Sequence, residues 1–268
     1  MIATHSPARA QPALFLSHGS PMMALRPGKA GAAIAALGEQ LPRPDAILVI
    51  SAHWCTDGLH VGTQAQPPQI RDFYGFPPEL GRVEYPAPGA PELAGRVLEC
   101  LRSAGMPAIG DDSWGLDHGS WVPLRQMYPA ADIPVTQLSL PVNRTPAELY
   151  RLGQALAPLA GEGVLIVASG CMTHNLGDIH RGADGAYAER FGDWVVGRVL
   201  AGDVEALFDY RRRAPDAVRA HPTDEHLLPL FVAMGAGAGG ATRWVDAGTE
   251  HAVLRMDGFV FGLQAKDA

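Results

Sequence analysis

Residues 164–169 read VLIVAS, five apolar residues and a serine held between Gly163 and Gly170. Six residues are too few for a buried helix, and three of them are β-branched, so the stretch reads as a strand covered on both faces. Comparable runs recur at 13–17 (ALFLS), 46–52 (AILVISA) and 134–140 (PVTQLSL). Helical patterns lie between and after them, at 29–41, 90–104, 145–160 and 186–200. In TPAELYRLGQALAPLA, Thr145 is the N-cap, Pro146 opens the helix, Glu148 completes a capping box, and Leu149, Leu152, Leu156 and Leu159 share one face. Strands alternating with helices predict an α/β fold, a three-layer sandwich around a largely parallel or mixed sheet. The final stretch, TRWVDAGTEHAVLRMDGFVFG, reads as two strands turning at 246–249, an antiparallel C-terminal hairpin.

The pattern predicts one domain spanning 1–268, with residues 1–11 as a flexible N-terminal tail. Between Thr63 and Pro88 lie six prolines and the aromatics Phe73, Tyr74, Phe76 and Tyr85. A long Pro-rich insertion of this kind in a compact domain is a candidate flap. The formal net charge is −7, and the one basic cluster, Arg211–Arg213, is too short to track a phosphate backbone. Neither a nucleic-acid nor a membrane partner is expected, since no apolar run approaches the length of a membrane span. The three cysteines (Cys55, Cys100, Cys171) lack paired spacing, which argues against a disulfide framework or thiolate zinc and for a cytoplasmic location.

Of ten histidines, six stand where α/β folds place chemistry, beyond the carboxyl ends of strands or at the start of helices. His18 follows ALFLS, His53 ends AILVISA, and His174 lies five residues past VLIVAS. His118 precedes a predicted helix, and His221 and His226 share HPTDEHLLPLF. A lone histidine in such a place is usually a hydrogen-bonded structural residue. Several imidazoles at one sheet edge are costly to desolvate without a common purpose, and neutral imidazole is the commonest ligand of zinc and iron. One mononuclear divalent metal is therefore expected, although neither HExxH nor CxxC is present. If Pro222 opens a helix, Glu225 lies a turn below His221, while His226 sits within the helix on another face. His226 is then the preferred ligand and His221 lines the pocket, with Glu225 or His221 as alternative ligands. His5, His60, His180 and His251 are given no role.

The stretches LFLSHGSPMMAL, ISAHW, RDFYGFPPEL, GLDHGSWVPL, ASGCMTHNL and HPTDEHLLPLF together resemble the LigB-type class III extradiol ring-cleavage dioxygenases, in particular the 4,5-DOPA dioxygenase-like branch. The resemblance runs from about residue 12 to 234. It implies a catalytic domain with a metal on His18, His53 and either His226 or Glu225, and His174 as the acid/base histidine, able also to approach the metal. It further implies His118 as a second pocket histidine. Phe73 and Tyr74, with His221, would contact substrate. The implied reaction uses Fe(II) and O2 to open a catechol ring, a DOPA-like compound or a relative, beside its two hydroxyls; Zn(II) is associated with members of this branch. A nearby imidazole could take up a catechol proton and return it.

Two other functions share these residues. A zinc hydrolase would use metal-bound water with His174 as base. A Memo-like protein without catalysis would use the cleft for binding, against which the complete histidine set argues. A monomer or homodimer is expected.

Overall fold

The computed structural model describes residues 10–264. Ten strands were found: β1 (Ala13–Ser17), β2 (Ala46–Thr56), β3 (Leu59–Gly62), β4 (Ala108–Asp111), β5 (Val135–Pro141), β6 (Val164–Gly170), β7 (Ala241–Val245), β8 (Thr249–Glu250), β9 (Leu254–Arg255) and β10 (Gly258–Leu263). Eight of them form one mixed sheet in the order β4-β3-β5-β2-β6-β1-β10-β7. Its centre is parallel: β6 lies between β1 and β2, and β5 pairs with β2 on the far side. The alternation read from the sequence sets the two faces. Phe15, Leu48, Ile50, Ile166 and Ala168 pack into one core, whereas Leu14, Leu16, Ile47, Val49, Leu165 and Val167 pack into the other.

The helices are α1 (Gly28–Gln40), α2 (Pro91–Ser103), α3 (His118–Met127), α4 (Pro146–Leu156), α5 (Leu176–Arg181), α6 (Ala186–Ala201), α7 (Val204–Phe208), α8 (Tyr210–Arg213), α9 (Ala217–Ala220) and α10 (Pro229–Ala236). Residues of α2, α4, α6 and α10 cover the first face, and those of α1 and α3 the second. The result is the three-layer α/β sandwich expected. The capping box of α4 forms as its sequence specifies, Thr145 accepting from the Glu148 amide and Glu148 from that of Thr145.

Three expectations need correction. β7 and β10 are antiparallel neighbours, Gly258 opposite Val245, but no tight turn joins them. The chain between them folds into the small β8-β9 ladder, whose tip carries His251 and Ala252, both at positive φ. Secondly, HPTDEH does not enter a helix. Leu227 and Leu228 return hydrogen bonds to the Asp224 carbonyl, and α10 begins only at Pro229, which stands at its first position. Thirdly, the expected tail falls largely outside the described residues, as does His5, but Gln11 is 4% exposed and its amide donates to the Ala160 carbonyl. No helix among the described residues is long and apolar enough to cross a membrane.

Candidate metal centre

Adjacent strands deliver the first two histidines. His18 immediately follows β1, and its amide extends the β1-β6 ladder by donating to the Gly170 carbonyl at 2.9 Å. In β2 the pairing with β5 slips between Ile50 and Cys55, and His53 lies in that irregular stretch. The His53 amide donates to Ser51 Oγ at 3.2 Å, and Ser51 donates to Asp117 at 2.7 Å. The third arrives from the turn before α10, where the His226 carbonyl accepts the Cys171 N–H at 2.8 Å, just past β6. Ring centroids of the three lie 4.9–5.4 Å apart.

The hydrogen bonds of His18 and His226, and the carboxylate beside His53, assign the protons. Ser169 Oγ donates to the Gly119 carbonyl, so at 2.9 Å from His18 Nδ1 it must accept. Nδ1 of His53 faces an Asp72 oxygen at 3.3 Å, and Nδ1 of His226 a Glu225 oxygen at 2.9 Å. A carboxylate only accepts, so each Nδ1 carries the hydrogen and each Nε2 keeps its lone pair. His18 Nε2 and His53 Nε2 are 3.0 Å apart, and His226 Nε2 is buried without a hydrogen-bond partner. Burial first, then the neighbouring imidazoles, holds His18 and His226 well below the usual histidine range. Three neutral imidazoles, each anchored through Nδ1 and bare at Nε2, suit a divalent cation. Nitrogens about 2.0–2.1 Å from one metal would lie roughly 3 Å apart.

Two further histidines complete the cluster. His118, the first residue of α3, has its ring 4.0 Å from that of His53 and 5.4 Å from that of His18. His174 stacks on His226 with centroids 3.5 Å apart and planes 8° from parallel. Burial lowers His174 to about 4, so it is neutral at physiological pH. A cavity of about 560 Å³ opens over the cluster, lined by His18, His53, His118 and His174, while His226 is buried behind the stacked ring of His174.

Residues 12–256 match the family model described as the catalytic LigB subunit of aromatic ring-opening dioxygenase. The chain belongs to the LigB family. It is 45% identical over 228 residues to a 4,5-DOPA dioxygenase extradiol of Beta vulgaris, covering 83% of this chain and 85% of that protein. It is 43% identical over 235 residues to the protein of the same name from Escherichia coli K12, covering 85% and 86% respectively. The crystal structure of an uncharacterised protein from Escherichia coli K12 matches with a TM-score of 0.77 and 34% identity, covering 94% of this chain and 100% of that chain.

Against this LigB-family fold, several expected positions change. His221 does not reach the cavity: it is 0% exposed, its Nε2 meets the Met172 carbonyl at 2.9 Å, and its ring packs on Phe191. It is a structural residue, neither cavity lining nor a second ligand beside His226. Phe73 turns inward against His118 and Trp121, whereas Tyr74 lies at the rim and is 93% exposed. Glu225 meets His226 Nδ1 at 2.9 Å, and its carboxylate, His174 and His226 offer ligand atoms within 4.8 Å of one another. Arg71 donates to the Val83 carbonyl, and no lysine or arginine is among the residues lining the cavity.

The sequence reading missed others. His180 and His251 line the mouth. Asp117, fully buried, accepts from Ser51, Gln137 and Trp114 and so fastens β2, β5 and α3 together. Asp72, from the flap, meets both His53 and His118. The signal for the last two lay in the quoted motifs, RDFYGFPPEL and GLDHGSW, where each acid sits beside a residue already singled out.

Proposed function

We propose that this chain is an extradiol dioxygenase that opens the ring of a catechol, DOPA or a close relative, with O2, acting as one catalytic domain. The carrying observation is the histidine cluster at an open cavity, in which His18 Nε2 and His53 Nε2 lie 3.0 Å apart and the ring of His226, with a buried Nε2 that makes no hydrogen bond, lies 5.1–5.4 Å from both. His18, His53 and His226 would hold a single metal ion, Fe(II) for ring cleavage, with Zn(II) an alternative occupant of the same nitrogens. Bound there, the metal would supply a shared coordination sphere for catechol and O2 and a path for electrons between them.

The chain's own residues do the rest. His118 and His174, both lining the cavity, are placed to take a catechol hydroxyl proton and return it. Phe73 offers an aromatic face to the ring and, with Phe76 and Leu254, excludes water. With no lysine or arginine in the lining, the carboxylate and imidazole side chains outside the histidine cluster that could face a ring substituent are Asp72 and, at the mouth, His180 and His251. The three cysteines are free, which supports a reducing cytoplasmic setting, and the chain is taken as a monomer or homodimer.

Anaerobic loading with Fe(II), followed by an O2-uptake screen of substituted catechols, tests the proposal. Stoichiometric O2 consumption with a yellow semialdehyde product is expected. An iron-loaded protein that consumes no O2 with any catechol, while the zinc form hydrolyses an ester or amide, would transfer the site to the hydrolase reading.

A further inference from the structure

The three ligand histidines draw their Nδ1 partners from three different places: Ser169 at the end of β6, Glu225 in the turn before α10, and Asp72 in the flap. Asp72 differs from the other two. It is the only acidic residue among those lining the cavity, and it serves two imidazoles at once. Its Oδ2 lies 3.3 Å from His53 Nδ1 and its Oδ1 2.9 Å from His118 Nδ1. The same Oδ1 accepts the backbone N–H of His118 at 3.0 Å. That amide is the first of α3, where unpaired N–H groups and the helix dipole favour an anion. The carboxylate is therefore pinned by the backbone, and its two oxygens face the Nδ1 atoms of the two rings as close charge contacts, His118 Nδ1 making no hydrogen bond.

The flap that carries Asp72 is itself fastened. Ile70 donates to the Leu116 carbonyl at 2.7 Å, Trp121 Nε1 donates to the Ile70 carbonyl at 3.1 Å, and Gln69 bonds both Val83 and Tyr85. The next residue, Phe73, packs on the same His118 ring.

We propose that Asp72 is the positioning residue that joins the flap to the metal centre, fixing the Nδ1–H tautomer of the ligand His53 and of the proton-handling His118 together. Seating the flap then presents a lone pair at Nε2 of both rings in one event, one for the metal and one for a substrate proton. The roles of His53 and His118 rest on the ring-cleavage reading; the shared carboxylate does not.

The test uses the full chain with Asp72→Asn, Asp72→Glu and, as a flap control, Phe73→Ala. Metal affinity is read by competition with a chelator, and turnover by O2 uptake. Asp72→Asn is expected to weaken metal binding about tenfold and to lower kcat roughly 10–100-fold, with KM changed less than about threefold and Asp72→Glu restoring part of both. Phe73→Ala should raise KM and leave metal affinity alone. An Asp72→Asn protein within about twofold of the parent in both metal affinity and kcat overturns the proposal, as does a loss that Phe73→Ala reproduces in full. If the parent itself consumes no O2 with any catechol, the ring-cleavage reading fails, while the chelator titration still decides whether Asp72 supports the metal site.

Discussion

At the scale of single residues, the site separates histidines that look alike in the sequence by what their second nitrogen touches. His174 has its amide tied to the Ala220 carbonyl and its ring stacked on His226, yet it lines the cavity. His221, five residues before His226, faces the core and spends Nε2 on the Met172 carbonyl. His174→Gln is expected to retain the metal and lose kcat by about 10²–10⁴-fold, the range for removing a general acid/base. Metal analysis alongside turnover decides: loss of metal in that variant would make His174 a ligand. The sequence separates His226 as ligand from His221 as pocket lining on an assumed helix, but ring contacts are not written in local sequence, and they put His221 in the core.

At the scale of elements, the turn before α10 is held in place by backbone contact. Gly170 ends β6 against the His226 carbonyl, which accepts from Cys171 at 2.8 Å, and a Cβ on Gly170 would collide with that carbonyl oxygen. Gly170→Ala is expected to displace His226, weaken metal binding at least about tenfold and destabilise the fold by roughly 1–3 kcal/mol. Gly161→Ala, where a Cβ meets nothing within 4 Å, is the control. Chelator competition and thermal unfolding measure both effects, and an unchanged metal affinity in Gly170→Ala would show that His226 is anchored some other way. The same contact explains why HPTDEH was misread as helical. Pro222 is acceptable at a helix start, but Pro229 is too, and the pairing of this turn with the end of β6 selects the later start.

At the scale of the whole molecule, folding gathers imidazoles that must stay neutral. Burial lowers His174 and His221 to about 4, and lowers His18, His53 and His226 as well. Between the folded values and the unfolded value of about 6.5 the unfolded chain binds more protons, so stability is retained above about pH 6.5 and falls as pH drops towards 4. Metal-free protein should show a Tm that declines across that window; a flat Tm from pH 7 to 5 would refute it. By itself the sequence determined the sandwich, since VLIVAS and its companions carry their burial in composition and alternation, and helix caps act over three or four residues. It also marked His18, His53, His118, His174 and His226. Only the tertiary structure decided that Asp72, 19 residues from His53 and 46 from His118, bridges them, that His221 turns away, and that a β8-β9 ladder replaces the terminal turn. Those facts depend on contacts between segments distant along the chain, and local pattern carries no record of which distant partner a side chain will meet.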